Sequence, residues 1–342
     1  MHGLLQIVAA CFDSCEIPTP HSVHDTLASA LRHNAKRVLV MSEELTRILR
    51  LLEAAGVPAL ALKGPVIAHT LYADPAYRFF TDLDLLVPLA HIPDARRILS
   101  GAGYDPSGSA KTAIAREQSV FRFTELSLEN ARIGVHVDLH WELTPKDWIA
   151  SMPRGLWDRT RTVLVGSSAI PTLGEEDTFL HLCVHGNKHG WTSLNWLVDL
   201  CSQITRSPGI AERSLNLLNP RSDVAAMVGF GLAACAVVAP EIVQPAGEFN
   251  SLAERVVHEA LSGVLHDETS LSRFRFQSSL GMNRLAIFRF AVRRLFVPNQ
   301  DDWDTLPIQQ RRLLFLVVPW RLLRLTWRLA SGAESRRSHL RS

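Results

Sequence analysis

The 342-residue chain has five cysteines, Cys11, Cys15, Cys183, Cys201 and Cys235, scattered, odd in number and without a Cys-x-x-Cys pair. That spacing gives no support to a disulfide framework or a cysteine zinc site, and it fits a reducing compartment. An excess of one charge is also missing: the formal net charge is +2, which by itself predicts no polyanionic partner. The opening "MHGLLQIVAACFDSCEIPTP" lacks the basic n-region of a signal peptide, and acidic residues soon interrupt its apolar run. The most membrane-like stretch, "VAAMVGFGLAACAVVAP" at 224–240, is slightly short of the roughly 20 residues that span a bilayer. Its Ala and Gly content suits a buried helix better. No internal repeat or low-complexity segment stands out. These absences predict a soluble, cytoplasmic protein.

What is present is an ordinary globular composition, 47% hydrophobic and 20% charged, sufficient for a sizeable core. The length suits two domains, or one domain with a large helical extension. Residues 21–55 carry apolar side chains at three- and four-residue intervals and predict one or two helices, stopped by Gly56. "VPALAL" (57–62) has strand length. Pro65 after Gly64 opens a short helix through "VIAHTLY", which "ADPAY" ends with turn chemistry. "LDLLV" (83–87) reads as a second strand and "HIPDARRILSGAGY" as a helix. "SVFRFTEL" and "RIGVHVDLHWEL" alternate over part of their length, with "SLEN" between them as the expected hairpin connection. Short β pieces continue through "RTVLV" and "AIP". From Thr172 the pattern turns helical, and Thr-x-x-Glu there predicts a capping box. The expected organisation is a helical lead-in over 1–55, an α+β core over 56–171 and a helical C-terminal domain over 172–342.

The chemistry-bearing residues follow strand parity. Side chains two apart in a strand share a face, so Asp82 and Asp84 point one way, and His136, Asp138 and His140 do the same on a later strand. Asp82 and Asp84 are either solvated residues at the start of a strand or metal ligands. If the two strands are neighbours, three carboxylates converge, a set that suits Mg2+ together with substrate phosphates and water. Lys63-Gly64-Pro65 supplies a close backbone approach, a helix N-terminus and a positive charge, with Arg78 as a second cation. Taken singly, each piece is a common pattern. Their order is more specific: strand, Gly turn, helix, Asp-x-Asp strand, then a later strand bearing Asp.

That order resembles the nucleotidyltransferase superfamily of DNA polymerase beta. More closely, "LKGPVIAHTLYADPAYRFFTDLDLLV", "VHVDLHWEL", "EEDTFLHLCVHGNKHGWTSLNWLVDL" and "PNQDDWDTLP" are similar to a poorly characterised bacterial nucleotidyltransferase family within it, over roughly residues 35–330. The resemblance implies a polymerase-beta-like core, a small mixed sheet flanked by helices, with a helical C-terminal domain. It implies an NTP as substrate, Mg2+ on Asp82, Asp84 and Asp138, and Gly64 as the turn glycine. It also implies transfer of an NMP group to a hydroxyl or phosphate, on a small molecule or a natural-product peptide rather than a nucleic acid. One departure concerns the turn, where the superfamily usually has a phosphate-contacting serine. Here Lys63 stands as the candidate replacement.

His181, His185 and His189 recur every four residues and share a helix face. Two readings apply: a zinc site of a hydrolase, or a face lining the cleft, where His185, Lys188 and His189 meet nucleotide or acceptor. The second is preferred, because no His-Glu-x-x-His arrangement is present. In it Trp191 offers a stacking surface, Trp196 belongs to the core, and Asp199 orients one of the histidines. The basic, Trp-bearing C-terminus, "RRLLFLVVPWRLLRLTWRLASGAESRRSHLRS", reads most simply as a packed helix with solvated arginines. Its rivals are a membrane-surface helix and a nucleic-acid contact. The rival to an enzyme is a nucleotide-binding or interaction module that no longer turns over.

Overall fold

A computed structural model describes residues 4–15, 20–106, 124–144, 152–219, 222–244 and 249–262, with the single positions 276, 279, 280, 319 and 323. The C-terminal basic stretch, "PNQDDWDTLP" and the "SVFRF" half of the first expected hairpin strand lie outside these residues, apart from Pro319 and Leu323.

The long helix α2 (His21–Ala54) follows α1 (Leu5–Ser14) and buries Val38, Met41, Leu45, Ile48, Leu49 and Leu52 along one stripe. Ile48 and Leu52 are wholly buried, each worth about 1.5–3 kcal/mol. The stripe lies against a mixed seven-stranded sheet of order β3-β4-β5-β2-β1-β7-β6. Its strands are β1 (Leu60–Ala61), β2 (Asp82–Leu86), β3 (Asp105–Pro106), β4 (Glu125–Asn130), β5 (Val135–His140), β6 (Arg161–Val165) and β7 (Ser168–Thr172). Helix α4 (Ile92–Gly101) covers the same face with Ile92, Ala95 and Leu99. Leu83 and Leu85 of β2, with Val135, Val137 and Leu139 of β5, point into that layer. The alternate residues, the aspartates among them, are left on the other face.

Across that second face lie α5 (Glu175–Lys188) and α6 (Leu194–Arg206), followed by α7 (Ile210–Leu215), α8 (Asp223–Val238) and α9 (Asn250–Leu261). They enclose a core of Phe179, Leu182, Trp191, Leu200, Met227 and Phe230. The apolar 224–240 stretch is α8, and no helix among the described residues is long and apolar enough to cross a membrane. The short α3 (Pro65–Leu71) belongs to both cores: Val66 and Ala68 pack with the sheet, Ile67 and Leu71 with the helices.

Two local expectations are corrected. "SLEN" is not the hairpin connection but the end of β4. The chain turns at residues 131–134, where Gly134 takes φ +66, a left-handed conformation that glycine adopts without strain. Leu128 keeps the inward alternation, half-buried Ser127 and Glu129 alternate with it, and Asn130 ends the strand buried, its amide donating to the Ala102 carbonyl. Thr172 forms no capping box. It ends β7, pairs with Ala61 of β1, and its hydroxyl donates to the Ala61 carbonyl. The N-cap of α5 is Gly174, and Glu175, Glu176 and Asp177 fill the first turn, where the helix dipole favours negative charge.

Candidate active site

The apolar sequence of β2 places it deep in the sheet, and its parallel pairing with β5 sets the chemistry. The register is Asp82 opposite His136, Asp84 opposite Asp138 and Leu86 opposite His140. Asp84 and Asp138 are therefore lateral neighbours on one face. Ligand atoms of Asp84, Asp138 and His140 all lie within 4.8 Å of one another, and among the described residues this is the one such group able to hold a metal ion. Asp82 falls outside that tight group, two residues nearer the start of the strand, yet it lines the same cleft.

The turn that follows β1 and opens α3 is built around Gly64, at φ +52. A Cβ there would lie 3.2 Å from the Asp82 carbonyl oxygen and 3.6 Å from the Phe80 ring, so the absent side chain lets the turn rest on the start of β2. The segment leading into β2 is held from both sides. Asn34 of α2 donates to the carbonyls of Ala76 (2.7 Å) and Arg78 (2.9 Å), and Asn195 of α6 donates to that of Phe79 (3.2 Å). Arg78, 4% exposed, donates through Nε and a terminal nitrogen to both oxygens of the fully buried Asp199, each at 2.8 Å. Tyr72 Oη adds a bond to Asp199 at 2.7 Å. Burial opposes the guanidinium charge, but Asp199 outweighs it and raises the Arg78 pKa. Asp199 thus pairs with Arg78 and not with a histidine. Its partner lies far back along the chain, which helical spacing cannot reveal.

Inside the cleft, Lys63 Nζ lies 3.0 Å from Asp84 Oδ2, and His140 Nε2 lies 2.9 Å from Asp84 Oδ1. His140 Nδ1 faces Glu125 Oε2 at 3.4 Å, and the same oxygen is 3.5 Å from Lys188 Nζ of α5. The charges are linked from the sheet to the helices. Burial pushes Asp82 up to about 6, helped by Asp84 and opposed by Lys63. Asp84 moves the other way: burial resists its charge, but Lys63 and His140 hold it well below the ordinary carboxylate range. Burial also raises Asp138, against a lowering hydrogen bond from Ser127. For Lys63, burial works against the ammonium, yet Asp84 and Asp82 keep its pKa above the usual value.

The opposite wall is α5 and the start of α6. His181, His185, Lys188 and His189 all face the cleft, as their spacing predicts. His181 is 5% exposed and neither ring nitrogen has a hydrogen-bond partner. Burial, with the nearby Lys63 charge, pushes its pKa down to about 3, so the ring is neutral. Leaving a buried polar group unpaired costs about 1–3 kcal/mol, and a cleft that receives a polar ligand offers a partner. The tryptophans exchange their expected roles. Trp191 is buried in the helical core at φ +55, its ring so close under α5 that a Cβ on Gly186 would come within 2.7 Å of it. Trp196 lines the cleft, with ring centroids 5.3 Å from both His185 and His189.

The cleft encloses about 380 Å3, within the range of small-molecule sites. A larger groove of about 790 Å3 runs beside α2 and the β6–β7 turn, away from these carboxylates; its Arg47 is already bound to Glu44. Sequence reasoning missed Glu125, Asn34, Asn195 and Tyr72, whose partners are all distant in sequence.

Residues 1–240 match the sequence family described as uncharacterised nucleotidyltransferase. No curated protein and no solved structure matches. The match takes in the turn at Gly64, both aspartate strands, α5 and α6, and so every side chain of the cleft. The chain belongs to that family of uncharacterised nucleotidyltransferases, enzymes that transfer nucleotidyl groups.

Proposed function

We propose that the protein is a Mg2+-dependent nucleotidyltransferase with a polymerase-beta-like core at 56–171. It moves an NMP group from an NTP to an acceptor hydroxyl or phosphate on a small molecule or peptide. The observation that carries this reading is the β2–β5 register, which sets Asp84 beside Asp138 with Asp82 at the mouth of the same strand. The donor set fits a hard divalent cation: three carboxylates, Asp82, Asp84 and Asp138, on one wall of a cleft, with lysines close by for the phosphates. When bound, the cation supplies charge neutralisation and alignment of the triphosphate.

The chain's own residues account for the rest. Lys63 and Lys188 face the cleft as phosphate-binding cations, and Trp196, flanked by His185 and His189, gives a flat surface for the base. The acceptor oxygen attacks the α-phosphorus, a new P–O bond forms, the bond to the bridging oxygen breaks, and pyrophosphate leaves. With a hydroxyl acceptor, its proton passes to the Asp138 carboxylate, which stands beside Asp84 on the cleft face. Most of the rate acceleration comes from positioning and fixed charge.

The test is binding of a non-hydrolysable NTP with MgCl2. Asp82→Asn is expected to weaken it at least about tenfold, a loss of roughly 1.4 kcal/mol, with the circular dichroism of the fold unchanged. Unaltered binding would remove the metal assignment. The pH dependence has a definite sign. Asp82 keeps its proton up to about 6 in the folded chain against 3.8 for an ordinary aspartate. Its contribution to metal-free stability therefore falls as pH rises between those values. A cation needs the deprotonated form, so the rise in Tm on adding MgCl2 should be larger at pH 7.5 than at pH 5.

A further inference from the structure

Both oxygens of Asp84 carry a partner. His140 Nε2 lies on Oδ1 at 2.9 Å and Lys63 Nζ on Oδ2 at 3.0 Å, and the carboxylate is 5% exposed. Each oxygen keeps a second lone pair, but a divalent cation on this carboxylate is repelled by the ammonium 3.0 Å from Oδ2, so a like charge has to give way. His140 is also held by Glu125 from its other nitrogen, whereas Lys63 is a point charge on a flexible four-carbon stem. Arg78 cannot take over, because both Asp199 oxygens and the Gly64 carbonyl engage its guanidinium. Lys63 is therefore the movable charge. Beside it stands His181, buried, facing the cleft and without a partner on either ring nitrogen.

We propose that Lys63 is a built-in stand-in for the cation. Its ammonium neutralises Asp84 while the site is empty of metal, and it moves onto the triphosphate when a divalent cation takes its place. This rests on the nucleotidyl-transfer reading and adds a regulation of the same site. Metal alone binds weakly, because it must break an internal ion pair and leave a buried ammonium without a partner. Nucleotide alone binds weakly, because Lys63 is already engaged. Each ligand removes the obstacle to the other, so their binding free energies are coupled and the coupling is reciprocal. The enzyme is thereby kept from loading metal or nucleotide separately.

The experiment measures MgCl2 affinity calorimetrically with and without a non-hydrolysable NTP, in the wild type, Lys63→Met and the more conservative Lys63→Gln. In the wild type the nucleotide should tighten metal binding by about tenfold or more, within the usual range of such couplings. In either variant metal alone should bind tighter than in the wild type, and the coupling should shrink towards none. A second measurement needs no variant: acylation of Lys63, followed by mass spectrometry, should speed up with MgCl2 alone and slow down when nucleotide is added. Unchanged or weaker metal binding in both variants, or an acylation rate indifferent to MgCl2, overturns the role of Lys63 while leaving nucleotidyl transfer standing. Absence of metal and nucleotide binding in the wild type itself overturns both.

Discussion

Arg78→Met is expected to destabilise the protein by about 3–5 kcal/mol, the usual result of leaving one member of a buried ion pair alone. Asp199 is fully buried and takes two bonds from Arg78 and one from Tyr72. With the guanidinium gone, Tyr72 alone faces a carboxylate that water cannot reach. Denaturant unfolding measures the loss, and a change under about 1 kcal/mol, the worth of a surface pair, would contradict this account. The double variant Arg78→Met with Asp199→Leu should recover much of the stability, because an apolar replacement of both partners leaves no stranded charge. Activity should not recover with it. The pair joins α6 to the segment that delivers Asp82, so removing it loosens the site even where the fold survives.

Asp138→Asn is expected to lower kcat by about 10^2–10^4, the range for loss of a positioned proton acceptor, while the fold remains intact. Asparagine keeps the size of the side chain and an oxygen for the hydrogen bond from Ser127. On the proposed mechanism it loses both the charge for a cation and the basicity for a proton. Nucleotide binding should fall less than in Asp82→Asn if proton transfer is the larger share of its role. Release of pyrophosphate from labelled NTPs in the presence of acceptor gives the measurement, and a kcat near that of the wild type would reassign Asp138 to structure.

Much of the site could be read from strand parity. Asp82, Asp84 and Asp138 sit on the expected face because alternation in "LDLLV" and "VHVDLHW" leaves the chain little choice when the opposite face is apolar. Parity does not fix which residues become lateral neighbours. That depends on register, and the observed register draws His140 into the tight group and leaves Asp82 at its edge. The helix face of His181, His185 and His189 was legible for the same reason. The roles of Trp191 and Trp196 were not, since a residue at φ +55 escapes helical periodicity and its ring packs by contacts distant in sequence. Asp199 was misplaced because its partner is 121 residues away. Composition and turn chemistry gave the layers; long-range pairing gave the contacts that lock them.

The parallel pairing of β2 with β5 has a consequence for how the chain reaches this structure. Asp84 and His140 are separated by 56 residues, so the ladder closes a long loop, the kind of contact that slows folding. Zipping it also draws two carboxylates together before any cation is present. The Lys63 ammonium at Asp84 offsets part of their repulsion, and added salt or a divalent ion should ease the rest and speed closing of the ladder.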